Sequence, residues 1–182
     1  MYIISTPPAS EPLTLTECKL HLRVDGTDED TLITTYLQSA REQVELMTNR
    51  AMMPQTVKQY LDTFPTCTID LRFAPIASVT SVKYYDSDNV EQTLVLDTDY
   101  QVDTVTEPAR IVPLLSWPVT KAKANAVTIE YVAGYADADT VPANIKAAIL
   151  LLVGEMYEIR ENYVKRLPTA VDYLLSPMKV FI

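Results

Sequence analysis

The stretch that decides the fold is Val141-Pro142-Ala143-Asn144-Ile145-Lys146-Ala147-Ala148-Ile149-Leu150-Leu151-Leu152-Val153, continued through Glu155 and Met156 to Tyr163. Pro142 stands where the first turn of a helix tolerates a missing N–H. Asp139 or Thr140 just before it is placed to cap. From Ala147 to Val153 no side chain is polar. A helix apolar all round for two turns must be enclosed on every side. It is far shorter than the run of about 20 apolar residues that a bilayer crossing needs. The expectation is the central helix of a soluble fold. Glu155, Glu158, Arg160 and Glu161 make its second half amphipathic, while Ile145, Ile149, Leu152, Met156 and Ile159 keep one buried line at spacings of three and four.

Upstream of it, from Pro54 to Tyr135, the apolar period changes to two and the residues change to Val, Ile, Thr and Tyr. Strands are predicted at 56–61, 68–73, 79–85, 92–96, 100–102, 109–112 and 126–131, with Asp86-Ser87-Asp88-Asn89 as a hairpin turn. Further upstream, Thr14-Leu15-Thr16-Glu17 is a capping box, so a short helix should run to about Leu22 and break at Asp25-Gly26. The acids of Thr27-Asp28-Glu29-Asp30 open a second helix. Ile33, Tyr36, Leu37, Ala40, Val44 and Met47 form its apolar stripe, with Thr34, Gln38, Arg41, Glu42 and Glu45 opposite. Asn49 is a left-handed stop. Pro7, Pro8 and Pro12 keep the first dozen residues extended, with Tyr2-Ile3-Ile4 available as an edge strand. Downstream, a last helical segment is expected at about Thr169 to Leu175, ended by Pro177, and then an apolar tail.

The fold class read from this order is α+β. A helical core comes from residues 13–52 and 141–176, an antiparallel β-sheet region at 54–135 is inserted between them, a tail occupies 177–182, and the whole is a single domain. One domain suits 182 residues, and 48% apolar residues supply a core. A net charge of −9 opposes a nucleic-acid-binding surface, which should be basic. Met1 to Ser10 lacks the charged and apolar regions of a signal peptide. Three glycines leave little room for glycine-rich phosphate loops.

The chemistry is sparse. His21 is the only histidine and has no nucleophile signature beside it, so it reads as a helix-surface residue. Cys18 and Cys67 show no metal or redox spacing. The acid groups Asp25 to Asp30 and Asp86 to Asn89 miss the calcium-loop pattern and are explained by capping and turn formation. No carboxylate pair is marked for glycoside chemistry. Trp117, Tyr84, Tyr85 and Tyr135 read as core aromatics before they read as a pocket.

Several landmarks nonetheless fall in one order. Leu13-Thr14-Leu15-Thr16-Glu17-Cys18-Lys19-Leu20-His21-Leu22-Arg23-Val24-Asp25 resembles the opening of tailed-phage head–tail connector (adaptor, or head-completion) proteins. Asp28-Glu29-Asp30, the helix ending Thr48-Asn49-Arg50-Ala51, and Gln55-Thr56-Val57 continue the likeness. So do Pro75-Ile76, Val79 to Tyr85, Pro108-Ala109-Arg110-Ile111 and Trp117-Pro118. Tyr131-Val132-Ala133-Gly134-Tyr135 and Val141 to Leu151 are its most recognisable part, and Leu167-Pro168 with Leu174-Leu175-Ser176-Pro177 close it. The sequence departs from the family's pattern near Thr169-Ala170, where members often carry Gly, and at Met178-Lys179, where they carry an aromatic residue and Arg.

The resemblance implies a structural virion protein at the head–tail interface, made in the host bacterial cytoplasm, with no catalysis and no cofactor or metal. Such adaptors form a ring of about a dozen copies. The ring lies beneath the portal protein, extends the channel for double-stranded DNA without sequence-specific binding, and offers a docking surface to a stopper or tail-completion protein; no membrane is involved. Two sets of residues become candidates. The exposed acids Glu42 and Glu45 are candidates to face the channel, where like charge keeps DNA from sticking; a solvated outer face fits them equally well. The tail Met178, Lys179, Val180, Phe181 and Ile182 is expected either to fold back on its own domain or to dock on the portal or a neighbouring subunit. The alternatives from other classes are a carboxylate-dependent hydrolase and a small ligand- or peptide-binding module.

Overall fold

A computed structural model describes residues 1–159 and 169–181. The expectations for Arg160, Glu161, Tyr163, Leu167-Pro168 and Ile182 fall outside these residues. The chain begins with strand β1 (Tyr2–Thr6), then helices α1 (Leu15–Leu22) and α2 (Asp30–Thr48). Seven strands follow: β2 (Gln55–Leu61), β3 (Ile69–Asp70), β4 (Ile76–Tyr85), β5 (Glu91–Leu94), β6 (Tyr100–Asp103), β7 (Arg110–Pro113) and β8 (Val127–Ala133). Helices α3 (Ala143–Glu158) and α4 (Thr169–Leu175) come last. The class is α+β, as read from the sequence.

The strands make two antiparallel sheets, where the sequence suggested one. Five strands run in the order β1-β2-β8-β4-β5 and three in the order β3-β7-β6. The predicted strand at 68–73 shrinks to β3, because Phe73 takes a left-handed φ of 63° that no regular strand accommodates. Strand β8 lies at the centre of the larger sheet and shows why: Val127, Ile129, Tyr131 and Ala133 alternate inward and are buried. They pack with Val57 and Val82 of neighbouring strands, with Ile69 and Ile111 from the small sheet, and with Leu71 just after β3.

The helices build a second apolar cluster. Ile33, Leu37, Ala40 and Val44 of α2 meet Ile145, Ile149 and Leu152 of α3 and Val171 and Leu175 of α4. Burying each of these larger side chains stabilises by about 1.5–3 kcal/mol. Helix α3 is central but not enclosed on every side: Leu151 is 36% exposed, because α1, α2 and α4 leave that flank of α3 uncovered among the described residues. Ile159 ends the helix with φ −104° and ψ 77° and does not continue its line.

Local signals hold in part: α3 starts with Pro142 itself at the N-cap and no side-chain cap, because Asp139 and Thr140 are taken up in a separate 3₁₀ turn, Ala138–Thr140. Thr14 Oγ1 accepts from the Glu17 N–H, and the Thr14 N–H donates to the Glu17 carboxylate. Helix α1 stops at Arg23, left-handed at φ 59°, two residues before the expected Asp25-Gly26 break. Asn49 closes α2 at φ 55°. Asp86 Oδ1 accepts from the Asp88 and Val90 N–H groups and shapes the β4–β5 hairpin turn. Pro177 lies inside a 3₁₀ turn, Ser176–Met178, that extends α4 rather than ending it. The two clusters adjoin where the chain after β8 passes the main chain of Met53. There Gly134 has φ +124°, and a Cβ at that position would lie 2.2 Å from the Met53 carbonyl oxygen, so only glycine fits.

Candidate functional site

The side chains singled out for function gather around the C-terminal half of α2. Arg41 and Glu45 stand one turn apart, the spacing at which helix side chains meet. Arg41 Nη1 donates to Glu45 Oε2 at 2.8 Å, Nε to Glu11 Oε2 at 2.8 Å, and Nη2 to Glu42 Oε1 at 3.4 Å. Glu45 Oε1 accepts from the Met52 N–H at 2.8 Å. The guanidinium thus ties the N-terminal segment to α2, and the Glu45 carboxylate ties α2 to the chain leading into β2.

This corrects the expectation that both acids are exposed. Glu42 is exposed, but Glu45 is only 3% exposed. The apolar stripe of α2 is broader than its hydrophobic residues suggest, because Glu11 and Met52 cover Arg41 and Glu45 from outside the helix. Burial raises the Glu45 carboxyl above the ordinary range, against the opposing pull of the Met52 N–H and Arg41.

The tail folds back on the end of α2. Val180 N–H donates to the Thr48 carbonyl at 2.9 Å, Asn49 Nδ2 to the Val180 carbonyl at 3.4 Å, and Arg50 Nε to the Met178 carbonyl at 2.7 Å. The left-handed turn at Asn49 exposes the Thr48 carbonyl that would otherwise continue the helix. Both Nη atoms of Arg50 grip the Glu107 carboxylate, with Tyr135 beside them. One guanidinium therefore joins α2, the β6–β7 loop and the tail. Lys179 lies 3.8 Å from Asp172, Met178 packs on the helical cluster, and Phe181 is left 83% exposed.

Close by, Gln55 opens β2. Its side chain is buried, and neither Nε2 nor Oε1 finds a hydrogen-bond partner. An amide in that state costs about 1–3 kcal/mol. Arg41, Arg50 and Gln55 were not singled out as a site from the sequence. The Arg41–Glu45 spacing was a usable signal; the Arg50–Glu107 pair, 57 residues apart, had none.

The residues weighed for catalysis are scattered. His21 is exposed at the end of α1, facing Gly154 of α3. Cys18 is buried, which pushes its thiol up to about 11, and Cys67 is exposed. Trp117 stacks on Phe64, centroids 4.6 Å apart and planes 2° from parallel, and its Nε1 donates to the Cys67 carbonyl. No group of three or more His, Cys, Asp or Glu among the described residues is placed to hold a metal ion. No helix among them is long and apolar enough to cross a membrane.

Comparison with known proteins follows the same direction. No curated protein matches the chain. Among solved structures, the neck of an empty gene transfer agent (GTA) particle computed with C6 symmetry contains a chain with TM-score 0.84 and 23% identity, over 100% of this chain and 96% of that one. The virion of the native GTA particle gives 0.83 and 23%, and the native neck computed with C12 symmetry gives 0.82 and 22%, with the same coverage. At this identity the likeness is one of fold. Residues 12–94 match the model of the phage gp6-like head-tail connector proteins, the family that the sequence resembles; the stretch from Tyr131 to Leu151 lies outside that match.

Proposed function

We propose that this chain is a structural, non-enzymatic head–tail connector. It forms a ring of about a dozen copies beneath the portal, extends the DNA channel and offers a docking surface to the stopper or tail. The observation that carries this reading is the match of residues 12–94 to the connector family. The neck chains that share the fold come from assemblies computed with sixfold or twelvefold symmetry, which suits a ring. In it the chain acts as one domain: helical core 13–52 plus 141–176, β insert 54–135 and tail 177–182. The two apolar clusters support that division.

A dozen copies, each with a net charge of −9, gather on the order of a hundred negative charges, enough to repel DNA that shares the channel. Glu42 is the channel-facing candidate; Glu45 stays engaged with Arg41 and Met52. The tail is the portal or subunit contact, with exposed Phe181 as its leading side chain. Its present clasp on Thr48 and Arg50 is then the free subunit's arrangement.

The deciding experiment is native mass spectrometry of the protein, alone and mixed with the portal of the same phage. A complex holding about a dozen copies on the portal is expected. A monomer in both conditions would sink the reading.

A further inference from the structure

Gln55 is the buried side chain whose polar atoms are left without partners among the described residues, and it is only 2% exposed. It lines a cleft of about 190 Å³ between the β1 edge and α2. The walls are mostly apolar: Tyr2, Ile4, Pro7, Pro8, Leu46 and Phe73. Water at such a site needs two to four polar partners. The charged groups there are already engaged with one another, through Arg41, Glu11, Glu42 and Glu45. A carboxamide offers one donor and one acceptor side by side, and a main-chain peptide unit offers the complementary pair. Leu46, 69% exposed at the rim, adds an apolar contact.

Charge narrows the occupant. Three carboxylates surround one guanidinium beside the cleft, so the segment that enters should lack acids. In this acidic chain the longest acid-free stretch lies between Glu107 and Glu130, and it contains Arg110, Lys121 and Lys123. Within it, residues 114–126 connect β7 to β8 without helix or strand. Connections of that length are uncommon unless they have a use. Val119 is 81% exposed there. The main-chain groups of Leu115, Ser116 and Val119 make no hydrogen bond with the described residues. The loop is nonetheless held in place, by Trp117 Nε1 on the Cys67 carbonyl and by the Lys121 N–H on the Tyr85 carbonyl.

The loop cannot reach its own cleft. Gln55 pairs with Ala133 at one end of β8, whereas the loop crosses the other end, where Val127 pairs with Leu61 and Tyr84. The two ends are separated by the length of the strand, about 20 Å. Complementary features at opposite ends of one subunit are the requirement for a head-to-tail contact between copies.

We propose that the Gln55 cleft of one copy receives the Val119 stretch of the 114–126 loop of a second copy. On docking, the Gln55 amide, shut off from solvent in the free subunit, turns toward the cleft and pairs with the loop's main chain; Val119 fills the apolar cleft beside Leu46, and Lys121 and Lys123 bring positive charge to the acidic rim. This contact rests on the ring reading above and supplies one interface of that ring.

The test uses full-length chains in which exposed Cys67 is replaced, C67S. Chains carrying Leu46→Cys and Val119→Cys are mixed and oxidised, alone and on the portal, while native mass reports the assembly. The expected result is a covalent dimer in the mixture at least tenfold above either chain alone, and above a control pairing Leu46→Cys with Val105→Cys in the β6–β7 loop. Gln55→Leu, which removes the unpaired amide, should keep or raise the melting temperature of the subunit and weaken assembly at least tenfold. A ring that forms without the cross-link, or assembly that ignores Gln55→Leu while stability rises, overturns the contact and leaves the ring standing; the cleft is then a water pocket. Absence of any ring, alone or on the portal, overturns both.

Discussion

The helical cluster and the seam that joins it to the sheets are held in different ways. Inside the cluster, Ile33, Val44, Ile145 and Ile149 are excluded from solvent, and no single pair decides the packing. At the seam, a few polar groups make specific bonds: Arg41 to three carboxylates, Arg50 to Glu107 and the tail, and Glu45 to the Met52 N–H. Apolar packing degrades by steps when trimmed. A buried charge that loses its partner is left with its full desolvation penalty.

The largest effect should therefore come from Arg41→Met. It leaves Glu45 buried without its counter-ion and should cost about 3–5 kcal/mol in chemical denaturation. Adding Glu45→Leu to that variant sharpens the point, since an apolar pair of similar size should recover most of the loss. If the single variant costs no more than a surface change, the seam is not held by charge. In the core, Ile149→Val removes one methylene from the centre of α3 and should cost about 0.5–1.5 kcal/mol. A loss as large as that of Arg41→Met would erase the contrast. Away from both regions, Thr14→Ala removes the α1 cap and should cost about 1 kcal/mol, read by the same denaturation curves.

The smallest effect is in pH. The folded-state pKa of Glu45 is raised, so the native state holds this proton more tightly than the unfolded chain does. Its contribution to stability is present at low pH and falls as pH rises from the ordinary Glu value through the raised one. Glu17, Asp86 and Asp103 have lowered values and act in the opposite sense, losing stability as pH falls. Subtracting the stability–pH curve of Glu45→Gln from that of the wild type should isolate a component declining with pH. A flat difference would mean that Arg41 fully offsets the burial of Glu45.

The same contrast explains how far the sequence could be read. The caps at Thr14 and Asn49, the stripe of α2 and the alternation of β8 are local patterns, and each appears where its period or capping chemistry placed it. The division of the strands between two sheets was not legible, because pairing partners are set by contacts far apart in sequence. The burial of Glu45 was hidden for a related reason: its cover comes from Glu11 and Met52, not from its own helix. The tail's dock on Thr48 and Arg50 spans about 130 residues and leaves no periodic trace. Gln55 carried even less signal, since a lone glutamine at a strand start looks like a solvated edge.

Trp117 has a consequence for observing the molecule. It is the only tryptophan in the chain, and it stacks on Phe64 at the border of the sheet cluster. Intrinsic fluorescence therefore follows the β region, while far-ultraviolet circular dichroism is dominated by the helices. Two melting curves from one sample would report on the two halves separately. Coincident curves would mean that the halves unfold as one cooperative unit; displaced curves would mean that one half unfolds while the other is still folded.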